Sequence, residues 1–323
     1  MKKLAAIFFA LILMFSVVAC ASDSAVDDSV ETIAFFVKTP NNPFFVTMME
    51  GAQSRADELG VEIYLDGPQA ETDVQAQVAM VENAIAQGVG AIVIAPCDKT
   101  PLIPALVLAH EAGIPVINVD DFIDKEEVNA AGGQILSFIG SDNFAGGKLA
   151  GAAMGQLFEG QGAVMVAIIE GMAGVSNSIL RYTGFAEALN SYPNVEIVFS
   201  QPGDWDTQKG YDQTTNALTA HPNLAGVFCC NDQMALGALA AAKELGRDDL
   251  VIIGYDANAD AVEQVVAGDL HGTVAQYPSE MGRQGVDAAV KAMNGESLQE
   301  KIATLILFID QSNAQDQLDG KLG

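Results

Sequence analysis

Thr32-Ile33-Ala34-Phe35-Phe36-Val37-Lys38-Thr39-Pro40-Asn41-Asn42-Pro43-Phe44-Phe45 is the stretch that decides how this chain folds. An apolar run, Thr32 to Val37, enters it, and a helical pattern, Val46 to Leu59, leaves it. Pro40 and Pro43 stop either element from running through, because each lacks an N–H and restricts the residue before it. The spacing predicts a strand, a stiff turn and a helix. At the turn stand a cation (Lys38), two amides and two aromatic rings. That mix suits a polar ligand with one apolar face, such as a sugar. Phe44 and Phe45 would also serve as ordinary core, and Asn-Pro pairs mark ordinary turns.

The same grammar repeats outward from this stretch. Near-continuous apolar runs at Val61–Leu65, Ala91–Ala95 and Ile114–Val119 alternate with helical patterns at Thr72–Gln87 and Leu102–Ala112. Gly60, Gly88 and Gly113 stand where helices should stop. Residues Phe122 to Ser137 break the rhythm and read as a loop excursion. From Ser141 the alternation starts afresh and runs to Met293. Apolar strands between amphipathic helices predict an α/β fold in two lobes, each a parallel sheet covered on both faces.

The first residues do not join this pattern. Lys2 and Lys3 precede an apolar run, Leu4 to Val18, of signal-peptide length. It ends in Val17-Val18-Ala19-Cys20, which resembles the lipobox of bacterial lipoproteins. That resemblance implies a signal peptide over 1–19, a lipidated Cys20 and a tether over 20–30. The expected location is the cell envelope, in the periplasm or on the outer face of the plasma membrane. Loss of the first 19 residues, with two lysines and no acid, shifts the net charge from −27 to −29. Such a body repels phosphates and is not expected to bind nucleic acid.

The cysteines do not form a framework. Adjacent Cys229 and Cys230 cannot bridge each other without strain, and Cys97 lies in the other half of the chain. Buried free thiols are expected. His110, His221 and His271 are scattered, so neither a zinc site nor any cofactor is expected. Asp256-Ala257-Asn258-Ala259-Asp260 opens like a calcium loop, but Ala261 and Ala267 stand where glycine and an acid are required.

Ligands of open parallel sheets bind beyond the carboxyl ends of the strands. Here those positions include Lys38, Asp66, Asp98, Asp120, Asp121, Glu170, Asn231, Asp256 and Gln276. Several stretches, in order, resemble the periplasmic sugar-binding proteins of ABC transporters, specifically the ribose type. They are Asn41-Asn42-Pro43-Phe44-Phe45, Ser141-Asp142-Asn143, Gln201-Pro202-Gly203-Asp204-Trp205-Asp206, Asn231-Asp232-Gln233-Met234-Ala235-Leu236-Gly237-Ala238 and Ala275-Gln276-Tyr277-Pro278. The resemblance covers nearly the whole chain after the leader. It implies a periplasmic-binding-protein fold with three hinge crossings. One lobe would hold residues 31–141 and 277–305, the other 142–276 and 306–323.

It also implies a sugar site at Asn42, Phe44, Asp120, Arg181, Trp205, Asn231, Asp256 and Gln276, with Phe45 beside Phe44. Sugar hydroxyls both donate and accept, so planar Asp, Asn, Gln and Arg groups pair with them, while rings cover the C–H faces. Two positions depart from the ribose pattern: Lys38 replaces a serine and Asp121 an arginine. The exchanges look paired, and together they resemble the allose-binding proteins. An aldohexose such as allose is therefore expected ahead of ribose. Lys38 would also be unremarkable as a solvated loop lysine.

The implied function is capture of a monosaccharide by a monomeric, lipid-anchored chain that delivers it to a membrane permease, without catalysis. Two other readings use the same residues. A sensor or chemotaxis receptor would couple the same capture to signalling. A secreted sugar hydrolase or isomerase would use Asp120, Asp121 or Asp256 as acid and base.

Overall fold

The computed structural model describes residues 32–322, so the expected leader, tether and Cys20 lie outside the described residues. The chain opens with β1 (Ile33–Phe36), α1 (Pro43–Leu59), β2 (Ile63–Asp66), α2 (Val74–Gln87), β3 (Ala91–Ile94), α3 (Lys99–Glu111), β4 (Val116–Val119), α4 (Lys125–Ala130) and β5 (Ser137–Gly140). It then enters a second half through α5 (Asn143–Leu157), β6 (Val164–Glu170), α6 (Ser176–Leu189), β7 (Val195–Pro202), α7 (Thr207–Ala220), β8 (Leu224–Cys229), α8 (Asp232–Glu244), β9 (Val251–Ile253), α9 (Ala259–Ala267) and β10 (Thr273–Ala275). It returns through α10 (Pro278–Met293) and β11 (Lys301–Ala303), and ends with β12 (Leu307–Ile309) and α11 (Ala314–Leu318).

The first sheet runs β2-β1-β3-β4-β5-β11 and the second β7-β6-β8-β9, all parallel. The first is buried on both faces because successive side chains of β1 point opposite ways. Ile33 and Phe35 join the cluster with Met48, Val286 and Ala289, while Ala34 and Phe36 join Val81, Leu102 and Leu106. The second sheet has its own core around Ile168, Phe185, Phe228 and Ile253. β10 and β12 pair antiparallel, and single bridges tie Gly272 and Ala275 to the β9 side. Three segments therefore pass between the halves, after β5, after β10 and after β11.

In both sheets the strand order reverses beside the first strand of the half. Residues after β1 and β3 in one half, and after β6 and β8 in the other, therefore flank a crevice. Lys38 follows β1, Cys97 follows β3, Gly171 follows β6 and Asn231 follows β8.

The helices begin where local chemistry allows. Asn42 and Asn231 cap α1 and α8 by accepting from Phe44 N–H (3.1 Å) and Met234 N–H (3.0 Å). Gly60 and Gly88 end α1 and α2 in left-handed conformation. Cys97, Cys229 and Cys230 are free and buried, as their positions predict.

Several details differ from the sequence expectations. The 122–137 excursion contains α4, a six-residue helix capped by Asp124. β11, β12 and α11 have no counterpart in the sequence reading, and β7 continues three residues past Phe199. β3 separates β1 from β4, the strands that Lys38 and Asp121 follow.

Candidate functional site

Between the halves lies a narrow chamber with about 30 Å³ of free space. From the first half it is lined by Lys38, Asn42, Phe44, Phe45, Glu71 and Asp120. From the second come Asn177, Arg181, Trp205, Asn231 and Asp256. Nine of the eleven expected site residues thus share one cavity. The other two stand behind it. Asp121 backs Lys38, and Gln276, fully buried, backs Asp256. Outside the chamber a wider cleft of about 820 Å³ opens to solvent.

The charged groups are held rigidly. Lys38 Nζ donates to Asp121 Oδ2 at 2.9 Å, with the two residues 3% and 7% exposed. The pair reaches across the end of β3. Burial works against the Lys38 ammonium, but Asp121, Asp120 and Glu71 outweigh it and hold the lysine above its ordinary pKa. Arg181 donates from Nε to Asn143 Oδ1 (2.7 Å), and from Nη1 to the Cys230 carbonyl (2.7 Å) and Asp256 Oδ1 (3.3 Å). Its guanidinium lies 3.9 Å from the Tyr255 ring centre and 5.4 Å from that of Trp205. Gln276 Nε2 donates to Asp256 Oδ1 at 2.6 Å, while its own oxygen accepts from Ser141.

Two of the carboxylates sit on strained backbone. Asp120 has φ 63° and Asp256 φ 117°, conformations that side-chain-bearing residues rarely adopt. Both are fastened from outside. Asp120 N–H donates to the Ile139 carbonyl (2.9 Å), and the Asn118 amide donates to the Asp121 carbonyl (2.9 Å). Asp256 N–H donates to the Val274 carbonyl (2.7 Å). Buried Asp232 accepts from Asn258 N–H (2.8 Å) and from the Thr273 hydroxyl (2.7 Å), which accepts in turn from Ala257 N–H (3.2 Å). Burial pushes Asp120 up to about 6, against the pull of Lys38. It pushes Asp256 up to about 7, against Arg181 and Gln276. These are groups that gain from a hydrogen-bonding ligand, since each added donor favours the charged form.

The apolar surfaces complement the polar ones. Phe44 and Phe45 meet edge to face, with ring centres 5.2 Å apart. Trp205 comes from the opposite half at φ 63°. Gly171 lets it in: a Cβ there would lie 2.0 Å from Trp205 Cη2.

Two lining residues escape the sequence expectations, Glu71 and Asn177. Asn177 Nδ2 donates to Asp120 Oδ1 at 3.2 Å across the two halves, and its own oxygen accepts from Asn143 (3.0 Å). It lies one helical turn before Arg181 on α6, so i, i+4 spacing places both on one face. Glu71 lies five residues beyond β2, farther along its loop than the strand-end rule reaches.

A family model described as a periplasmic binding protein domain matches residues 33–297. The ribose import binding protein of Escherichia coli strain K12 is 37% identical over 302 residues, covering 93% of this chain and 96% of that one. The D-allose-binding periplasmic protein of the same strain is 34% identical over 260 residues, covering 80% and 83%. A solved ABC transporter periplasmic solute binding protein from Actinobacillus succinogenes, with bound D-allose, superposes with a TM-score of 0.85 at 33% identity. That match covers 88% of this chain and 99% of the other.

Proposed function

The chain belongs to the periplasmic binding protein family, and from that premise we propose that it is the solute-binding component of an ABC sugar importer, capturing a monosaccharide between its lobes. The observation that carries this reading is the chamber between the lobes, lined by carboxylates, amides, a guanidinium and three aromatic rings. Sugar hydroxyls satisfy the polar groups and the rings shield the C–H faces. The chain is a binding protein and not an enzyme. An allose-like aldohexose is favoured over ribose, because the buried Lys38–Asp121 pair stands where the ribose pattern has serine and arginine.

Capture proceeds by closure about the three crossing segments. Contacts that exist only with both lobes in place, such as Asn177 to Asp120, select the closed state, and the permease recognises that state. The chain acts as a monomer tethered to the envelope through lipid on Cys20.

A thermal-shift panel of pentoses, aldohexoses, ketohexoses and polyols tests the reading. A sugar at 100 times its Kd should add about 2.7 kcal/mol of stability. No response to any member would overturn it. Metabolic labelling with a radioactive fatty acid tests the anchor, and the label should vanish in Cys20→Ala.

A further inference from the structure

The chamber and the outer cleft share three lining residues: Asn42, Glu71 and Trp205. These form the wall that a ring substituent meets when it points from the chamber towards solvent. Glu71 differs from the other carboxylates nearby. Asp120 accepts from Asn177, Asp121 from Lys38, and Asp256 from Arg181 and Gln276. Among the described residues Glu71 accepts one side-chain hydrogen bond, from Asn42 Nδ2, at 3.5 Å. A carboxylate offers about four acceptor positions. Glu71 therefore meets the chamber with most of its acceptor capacity unused, while it is only partly exposed to water.

Its placement is built into the lobe. Thr39 Oγ1 and Asn41 Nδ2 both donate to the Gln69 carbonyl, at 3.2 and 2.7 Å. They pin the loop after β2 to the turn that follows β1. The partner requirement of Glu71 is for a donor, and Lys38, whose charge acts on Glu71, donates to Asp121 and makes no hydrogen bond to Glu71. A ligand hydroxyl supplies that donor without adding charge.

We propose that Glu71 is a specificity-determining residue that accepts a hydrogen bond from the exocyclic hydroxymethyl of an aldohexose, so that the site prefers an aldohexose to the matching pentose. The inference rests on the sugar-binding reading above. It makes Glu71 the residue that registers the sixth carbon, while Asp120, Arg181, Asn231 and Asp256 hold the ring.

D-Allose and D-ribose form the discriminating pair. As pyranoses they share configuration around the ring and differ by the hydroxymethyl alone. Calorimetric titration of both sugars into the intact protein and into Glu71→Gln and Glu71→Ala tests the proposal. The wild type should bind D-allose at least tenfold more tightly than D-ribose. Either variant should weaken D-allose at least tenfold and change D-ribose less than threefold, so that ribose binding also reports an intact site. Equal weakening of both sugars, no change in either, or a wild type that prefers ribose would each overturn the role of Glu71. A wild type that binds neither sugar but responds to another monosaccharide also defeats this inference and leaves the sugar-binding reading standing. Silence to every sugar defeats both.

Discussion

Breaking the Lys38–Asp121 pair from one side should be far more damaging than removing it whole. At 2.9 Å, with both residues nearly fully buried, the two charges attract by about 6 kcal/mol at an effective dielectric of 20, which offsets the cost of their dehydration. Lys38→Met leaves Asp121 buried without its partner, and withdraws the same cation from Asp120 and Glu71. The expected loss of stability is about 3–5 kcal/mol. The double variant Lys38→Met/Asp121→Leu should lie within about 1 kcal/mol of wild type, because an apolar pair of similar volume replaces the ionic one. Urea denaturation followed by far-UV circular dichroism measures all four corners of the cycle. A coupling of at least about 2 kcal/mol is expected, larger by whatever Asp121→Leu costs alone. Single losses that add to within about 0.5 kcal/mol would refute a buried, mutually dependent pair.

The unliganded protein should gain about 1–2 kcal/mol of stability as the pH falls from 8 to 6. Asp120 and Asp256, at about 6 and about 7, lie above the ordinary aspartate value, so the native state binds more protons than the unfolded chain in that window. Asp256→Asn should flatten most of that slope in denaturation curves, and an unchanged slope would contradict it. Asn177→Ala removes the bond from one half to Asp120 and should weaken sugar binding about tenfold to a hundredfold in calorimetry. Gly171→Ala forces the Trp205 ring aside and should weaken sugar binding at least about tenfold while the midpoint of urea unfolding moves little. Unaltered affinity would mean that the ring does not cover the ligand.

Much of the architecture was legible because it rests on local chemistry. Apolar runs such as Ala91–Ile94 can be buried on both faces only in a covered parallel sheet, and Gly60 and Gly88 announce helix ends. β11 was not legible: Lys301-Ile302-Ala303 is a three-residue, half-exposed segment that becomes a strand only by pairing with β5. The start of α3 was masked by Pro101, yet a proline in the first turn forfeits no helical hydrogen bond. At the candidate site, strand ends identified Lys38, Asp120, Asn231 and Asp256 because the sheet topology converges there. Glu71 depends on how a seven-residue loop folds back onto the Thr39–Asn41 turn, which tertiary hydrogen bonds decide. The Lys38–Asp121 pairing was visible as an exchange of charges, whereas its passage over β3 emerges only from the strand order.

One monosaccharide is expected to bind in the chamber between the lobes. Titration calorimetry of the purified chain with D-allose and D-ribose addresses it directly, with Arg181→Ala as the paired control. Saturation should come at one sugar per chain, and the binding heat should be lost when Arg181 no longer bridges Asn143, the Cys230 carbonyl and Asp256. Saturable binding that survives in Arg181→Ala would place the ligand elsewhere, and absence of heat with D-allose, D-ribose and every other monosaccharide of the thermal-shift panel would contradict a monosaccharide site.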